Sequence, residues 1–390
     1  MDSPQVEISA SLSNRKLIVA GQIAFLPTGI LTTLLGPMLP LLLARWAMND
    51  TQAGNLFLVQ FLAMLIGVQL SGVLLTRWGY RPAFLAGLLL MAGGVATLYL
   101  GSHLQGLISV AMYGLGLGLI VPTDNLLIAE LSTGSGLRSR AGAVSLLNFF
   151  WGVGAVFCSL MVAWTASHNL LPFFLGSVAL FLVVLAWTMR NLPFPPAAKR
   201  SESSASWVEL AKSPTIWLFA AVFFLYPGAE TAVGGWIGSY VSRLGTHGAA
   251  MASMMPAFFW SALTLGRALG TAFLRHFSED RVLRFGYAAG ASGIGLMLWA
   301  PSLPGVIGGA LITGLSFATL YPITVARLSQ RFGVAARSIG AVMFSLASVG
   351  PAVVPWTVGV ISHATGSLRA GLLVPLGATM ILFVIHIVEW

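Results

Sequence analysis

Two carboxylates, Asp124 and Glu230, stand inside long apolar runs of this 390-residue chain. Desolvation penalises a carboxylate's charge, so an acid kept from water can take up and release a proton as its surroundings change. Asp124 lies in Pro122-Thr123-Asp124-Asn125, six residues or about 9 Å along a helix from Glu130. Glu230 lies about 17 residues into its own run, where a lipid-facing carboxylate would cost several kcal/mol and must instead face a cavity or a buried partner. Both are candidate proton carriers, Asp124 the first choice. The plainer readings are an ion pair of Asp124 with Arg267 or Arg327, and a structural Glu230 paired with backbone. The amides Asn148, Asn125, Gln22 and Gln60 are candidate substrate contacts, because an amide both donates and accepts as a hydroxyl does. Each can equally bridge to a neighbouring helix. Trp236, Trp260, Tyr321 and Trp356 are aromatic candidates for the same site, packing or interfacial anchoring being the alternative.

These residues must be positioned by helices in lipid. The chain is 57% hydrophobic and 8% charged, against about 25% charged in a soluble domain, so too little polar surface exists to face water. A span needs roughly 20 apolar residues. Apolar runs predict twelve spans at about 15–43, 52–76, 82–101, 104–131, 138–166, 169–191, 213–241, 247–273, 280–300, 303–330, 335–364 and 367–388. With the N-terminus inside, sixteen Lys and Arg fall on the cytoplasmic side and Arg45, Arg243 and Arg369 outside, with Arg267 within the eighth span. That asymmetry places both termini in the cytoplasm. It also accounts for the net charge of +9 without a nucleic-acid partner.

Residues 191–213 are the longest hydrophilic stretch, with Lys199, Arg200 and a Ser-rich run, and read as a linker at 192–212 between halves at 1–191 and 213–390. A shift of 198 residues pairs Gly36 with Gly234, Gly72 with Gly270 and Arg77 with Arg275. It also pairs Gly116-Leu117 with Gly314-Leu315, Gly142-Ala143-Val144 with Gly340-Ala341-Val342, and Gly152 with Gly350. Both copies start on one side of the membrane, so the repeat is parallel. The expected fold is an all-α membrane protein of twelve helices in two parallel six-helix pseudo-repeats.

The loop after the second span, Gly72-Val73-Leu74-Leu75-Thr76-Arg77-Trp78-Gly79-Tyr80-Arg81, resembles the signature Gly-x-Leu-x-Asp-Arg-x-Gly-x-Arg of the major facilitator superfamily. In that family it latches the cytoplasmic gate. Thr76 replaces the acid here, so Glu130 is the expected partner of Arg77 or Arg81. The repeat-related stretch from Gly266-Arg267 through Gly270 to Arg275 resembles the same element in degenerate form, and Arg327 completes the cytoplasmic gate candidates. In the seventh span, Gly228-Ala229-Glu230 with Gly234-Gly235-Trp236 and Tyr240 resembles the pattern of the fucose/glucose–galactose:proton symporter branch. The resemblance implies a solute site between the halves near mid-membrane, with Asn148 on the sugar and Glu230 at the site, and Trp236 and Tyr240 stacking on a sugar or closing an outer gate. Two departures bear on proton coupling: the first span carries no acid, and Asn125 is followed by Leu126 where the branch has Pro.

The reading is therefore a secondary transporter working by alternating access: proton-coupled uptake of a monosaccharide or similar neutral hydrophilic solute, acting as a monomer in a bacterial inner membrane without a cofactor. A drug/proton antiporter and an uncoupled facilitator of the same fold are the alternatives. No nucleophile–base pair appears, and the six scattered histidines and single Cys158 offer no metal-binding spacing, so the sequence argues against an enzyme. Residues 1–14 lack the charged-then-apolar pattern of a cleaved signal.

Overall fold

In lipid every backbone N–H and C=O must be satisfied within the protein, which leaves helices as the building units for apolar runs of this length. The computed structural model describes residues 4–132, 137–195, 213–245, 248–300, 302–332 and 336–388. Most of the expected linker, residues 196–212, lies outside the described residues, as does His247. The described elements are fifteen helices: α1 (Pro4–Thr33), α2 (Leu35–Trp46), α3 (Asp50–Trp78), α4 (Tyr80–Thr97), α5 (His103–Leu131), α6 (Leu137–Ser167), α7 (Leu171–Met189), α8 (Pro214–Arg243), α9 (Ala249–His276), α10 (Glu279–Trp299), α11 (Leu303–Phe317), α12 (Leu320–Phe332), α13 (Ala336–Thr365), α14 (Leu368–Gly371) and α15 (Leu373–Val388).

Three expected spans, the first, tenth and twelfth, are each broken in two, and proline accounts for all three breaks. Proline has no N–H to give the carbonyl four residues back. Pro37 leaves Thr33 without that donor where α1 gives way to α2, Pro322 does so for Ala318 between α11 and α12, and Pro375 for Gly371 between α14 and α15. Eleven helical stretches among the described residues are apolar and long enough to cross a membrane. The one expected span missing from these eleven is the ninth, α10, a 21-residue helix that opens on Glu279, Asp280 and Arg281 and carries glycine in place of larger apolar residues.

The helices form two compact units, Met1–Leu34 with Ala63–Cys158 and His168–Arg200, and Leu35–Leu62 with Ser159–Ser167 and Ser201–Trp390. Glycine sets the packing distance in each, since water-free helices associate through close backbone contact. In the first unit a Cβ on Gly154 of α6 would stand 2.1 Å from the Leu26 carbonyl oxygen of α1, and one on Gly118 of α5 would stand 2.1 Å from that of Met64 in α3. In the second unit a Cβ on Gly350 of α13 would stand 1.9 Å from Phe224 O of α8, and one on Gly314 of α11 would stand 2.3 Å from Phe259 O of α9. Leu26 and Phe224 are 198 residues apart, the period of the sequence repeat, whereas Gly154 and Gly350 are 196 apart, so the matching helix pairs both close on a glycine but not on repeat-equivalent ones. Gly79, between α3 and α4, is held at φ 78°, which explains the glycine of that loop. Gly72 has nothing within 4 Å of a Cβ and needs no such explanation.

Substituting Gly154 or Gly350 by alanine drives a methyl into a backbone oxygen and is expected to destabilise the fold by about 1–3 kcal/mol. Gly176→Ala, at an exposed helical position with nothing within 4 Å, should be neutral or stabilising by up to about 1 kcal/mol. Thermal unfolding of the detergent-solubilised variants checks both, and equal melting temperatures would refute the packing role.

Candidate functional site

Helix α8 brings two polar side chains onto one face, one turn apart: Tyr226 and Glu230. The Tyr226 hydroxyl is hydrogen-bonded to Glu230 Oε2 and lies 2.7 Å from the carbonyl oxygen of Phe317, the last residue of α11. From α9, Arg267 Nη2 approaches the same Glu230 oxygen to 3.8 Å. Tyr226 is buried, and the Glu230 side chain is only 13% exposed. Tyr321 of α12 stacks on Tyr226 with ring centroids 6.1 Å apart and an interplanar angle of 19°. Glu230 was expected as a proton carrier and Arg267 at the cytoplasmic gate or against Asp124; in the structure Arg267 faces Glu230 instead. Tyr226 was not expected, although its spacing of four from Glu230 on a helix was the available signal.

Asp124 sits differently. It is fully buried in α5, and neither carboxylate oxygen has a hydrogen-bond partner among the described residues. Its closest constraint is α1, where a Cβ on Gly21 would stand 2.4 Å from Oδ1. Arg327, one of its alternative partners, is engaged elsewhere, with Nε 3.1 Å from Glu279 and Nη2 2.5 Å from Asp280; Arg267, the other, faces Glu230.

The remaining candidates fall into three groups. Asn148 and Asn125 both donate to their own helix, to Val144 O at 2.9 Å and Val121 O at 2.8 Å; Asn148 is exposed and Asn125 half-buried. Gln22 is half-buried and Gln60 wholly buried. Among the aromatics, Trp236 is fully buried, donates from Nε1 to Pro355 O at 3.0 Å and lies 6.1 Å from the Phe57 ring, so here it packs helices together. The Trp260 ring lies against Gly234, whose Cβ would stand 2.6 Å away, and Trp356 Nε1 donates to Asn55 Oδ1 at 3.0 Å. At the gate loop, where Glu130 was expected to meet Arg77 or Arg81, Glu130 accepts the Tyr80 hydroxyl at 2.6 Å and Arg81 donates to Leu192 O at 2.9 Å. Arg77 and Arg275 are exposed.

A second polar cluster was not expected at all. Asp50, at the start of α3, takes both terminal nitrogens of Arg243 at the end of α8 and the hydroxyl of Ser362 in α13. The first pair is 193 residues apart in sequence and the second 312, so no local spacing announces them. Just inside it, α2 and α3 close on α8 and α13. A Cβ on Gly36 would stand 2.6 Å from Gly234 O, one on Gly359 2.3 Å from Asp50 O, and one on Gly54 3.1 Å from the Trp356 backbone.

Among curated proteins the chain is 24% identical over 305 residues to Bypass of stop codon protein 6 of Saccharomyces cerevisiae, covering 70% of this chain and 60% of the yeast protein's length. It is 24% identical over 375 residues to a glucose/galactose transporter of Brucella abortus, with 88% and 86% covered. Over 257 residues it is 26% identical to the multidrug resistance protein MdtH of Aeromonas salmonicida, with 61% and 59% covered. Its fold matches a crystal structure of the E. coli fucose:proton symporter, FucP, with a TM-score of 0.64 at 19% identity, covering 96% and 98% of the two chains. The sequence model of the Major Facilitator Superfamily matches residues 23–355, over helix pairs that close on glycine in each half, and the chain belongs to that superfamily of membrane transporters.

Proposed function

We propose that this secondary transporter couples inward movement of a proton to uptake of a monosaccharide or similar neutral hydrophilic solute. The observation that carries the reading is the buried Glu230, held deep in α8 by Tyr226 and Arg267. A carboxylate there is costly and is retained for a purpose. Arg267 balances its charge, so the pair offers no net charge to attract an ionic solute. Asp124, buried without a hydrogen-bond partner among the described residues, is the second proton-bearing group. The exposed amide of Asn148, next to the exposed ring of Phe149, supplies the donor, acceptor and apolar face that a sugar ring needs. Similarity to a glucose/galactose transporter supports this reading, and similarity to MdtH favours the alternative, a drug/proton antiporter.

The charge asymmetry supports a bacterial inner-membrane location with both termini in the cytoplasm; halves at 1–191 and 213–390 working as a monomer belong to the same proposal. On that orientation Arg77, Arg81, Glu130, Arg267, Arg275 and Arg327 belong to the cytoplasmic half of the cycle. The Asp50–Arg243–Ser362 cluster then lies at the outer end, where it ties α3 to α8 and α13 and must open when the carrier faces outward.

Uptake of labelled glucose, galactose and fucose into proteoliposomes, with and without an inward proton gradient, tests the reading. The wild type is expected to accumulate solute only with the gradient. Glu230→Gln and Asp124→Asn should lose accumulation while retaining solute exchange. Absence of uptake under either condition removes the symport reading and favours export.

The outer tie has its own test. Phe61 lies on the same face of α3 as Asp50, Gly54 and Phe57, about 16 Å further in. A Phe61→Cys variant lacking Cys158 should react slowly with an impermeant maleimide added to spheroplasts. Adding Arg243→Ala should raise that rate about tenfold or more, since a partly buried ion pair has lost one partner. A charge swap of Asp50 and Arg243 should restore it. An unchanged rate in a monodisperse variant would exclude a gating role.

A further inference from the structure

Tyr226 has one hydroxyl proton and two oxygens within reach of it: Glu230 Oε2 and Phe317 O. A backbone carbonyl can only accept, so how the proton is shared depends on Glu230. When Glu230 is ionised, its carboxylate is the stronger acceptor, since charge-assisted hydrogen bonds are roughly twice as strong as neutral ones. The Tyr226 proton then points to Glu230, and Phe317 O receives nothing from it. When Glu230 is protonated, the acid donates to the Tyr226 oxygen, and the Tyr226 proton turns to Phe317 O. Phe317 is the last residue of α11, directly before the two-residue break, Ala318–Thr319, that Pro322 imposes ahead of α12.

We propose that Tyr226 is a positioning residue that passes the protonation state of Glu230 to the break between α11 and α12. This rests on the reading of Glu230 as a proton carrier. The break is an apt receiver because proline has already removed a helical hydrogen bond there. One further bond, gained or lost at Phe317 O, changes the restraint on the angle between the two helices. The opposite side of the break is fixed: Cβ atoms on Gly266 and Gly270 of α9 would stand 2.5 Å from the Ala318 side chain and 2.8 Å from that of Thr319. Arg267 follows Gly266 directly, so the helix that carries the counter-charge of Glu230 also braces the break. Each proton taken up by Glu230 thus relaxes its ion pair with Arg267 and makes the Tyr226–Phe317 bond. The other groups facing the Tyr226–Glu230 pair are Tyr321 of α12 and Tyr287 of α10. No covalent step is involved, and the proton comes from bulk water and returns to it.

The test needs no knowledge of the solute. Amide hydrogen exchange of the full chain in lipid nanodiscs is followed across residues 315–322 as pH is varied, corrected for the intrinsic pH dependence of exchange. In the wild type, protection at the break should fall as Glu230 ionises, by about tenfold, the worth of one hydrogen bond. Glu230→Gln, whose amide can donate to the Tyr226 oxygen as a protonated acid does, should stay protected throughout. Tyr226→Phe, which lacks only the hydroxyl, should stay unprotected throughout. The infrared carbonyl band of protonated Glu230, identified by its loss in Glu230→Gln, should move to higher wavenumber in Tyr226→Phe as its acceptor disappears. A pH step that survives in Tyr226→Phe overturns the proposal, as does a Glu230→Gln variant that exchanges like Tyr226→Phe. If wild-type and variant exchange behave as stated while no sugar is taken up, the relay stands and only the choice of solute fails.

Discussion

A carboxylate sixteen residues into an apolar helix, about 24 Å along its axis, has little water to hold its charge, and the architecture around α8 follows from that constraint. Glu230 needs donors, and they come from two directions: Tyr226 one turn back on the same helix, and Arg267 from α9. Tyr226 needs room for its ring, which it finds between Phe317 and Tyr321, on either side of a proline break. Arg267 needs α9 close to α11, and Gly266 and Gly314 supply that closeness by removing side chains from the contact. The site and the packing are therefore one arrangement. Loss of either glycine moves the arginine, and loss of the arginine leaves a buried charge uncompensated.

The two buried acids meet the same solvent problem with different means. Glu230 has a hydroxyl and a guanidinium, whereas Asp124 is pressed against Gly21 with no donor for either oxygen among the described residues. An unpaired carboxylate in such surroundings costs several kcal/mol more than one with partners. The two positions are thus unequal in the partners that meet their charge.

Much of this was legible in the residues. Span count, the repeat of 198 and the candidate acids followed from apolar length, constant offset and misplaced charge, which are local or periodic signals. The breaks at Leu34, Ala318–Thr319 and Leu372 were equally available, because each precedes a proline by three or four residues, but long apolar runs read as unbroken. Tyr226 was within reach of a helical-spacing argument and was passed over because tyrosines are common in such runs. The Asp50–Arg243–Ser362 cluster was out of reach. It joins residues from three distant helices, and Arg243 alone looks like a charge that merely sets topology. Glu130 illustrates the same limit: Arg77 or Arg81 was the expected partner, and the bond from Tyr80 turns on side-chain reach after folding.

The placement of the polar groups bears on how such a carrier can work. Ties of opposite character act on α8 along its length. Near its end, Asp50 binds Arg243 and Ser362 through charge-assisted bonds, and Trp236 is fixed to Pro355 O. About 13 residues back along the helix, Glu230 meets Tyr226 and Arg267, the pair to which the proposal assigns a proton-dependent arrangement. A helix tied at two such points can carry a change at one to the other, since packed helices slide past one another by small shifts. On the relay proposed for Tyr226, a proton at Glu230 would bear on the break between α11 and α12 and, along α8, on the Asp50–Arg243 tie without any contact between Glu230 and Asp50.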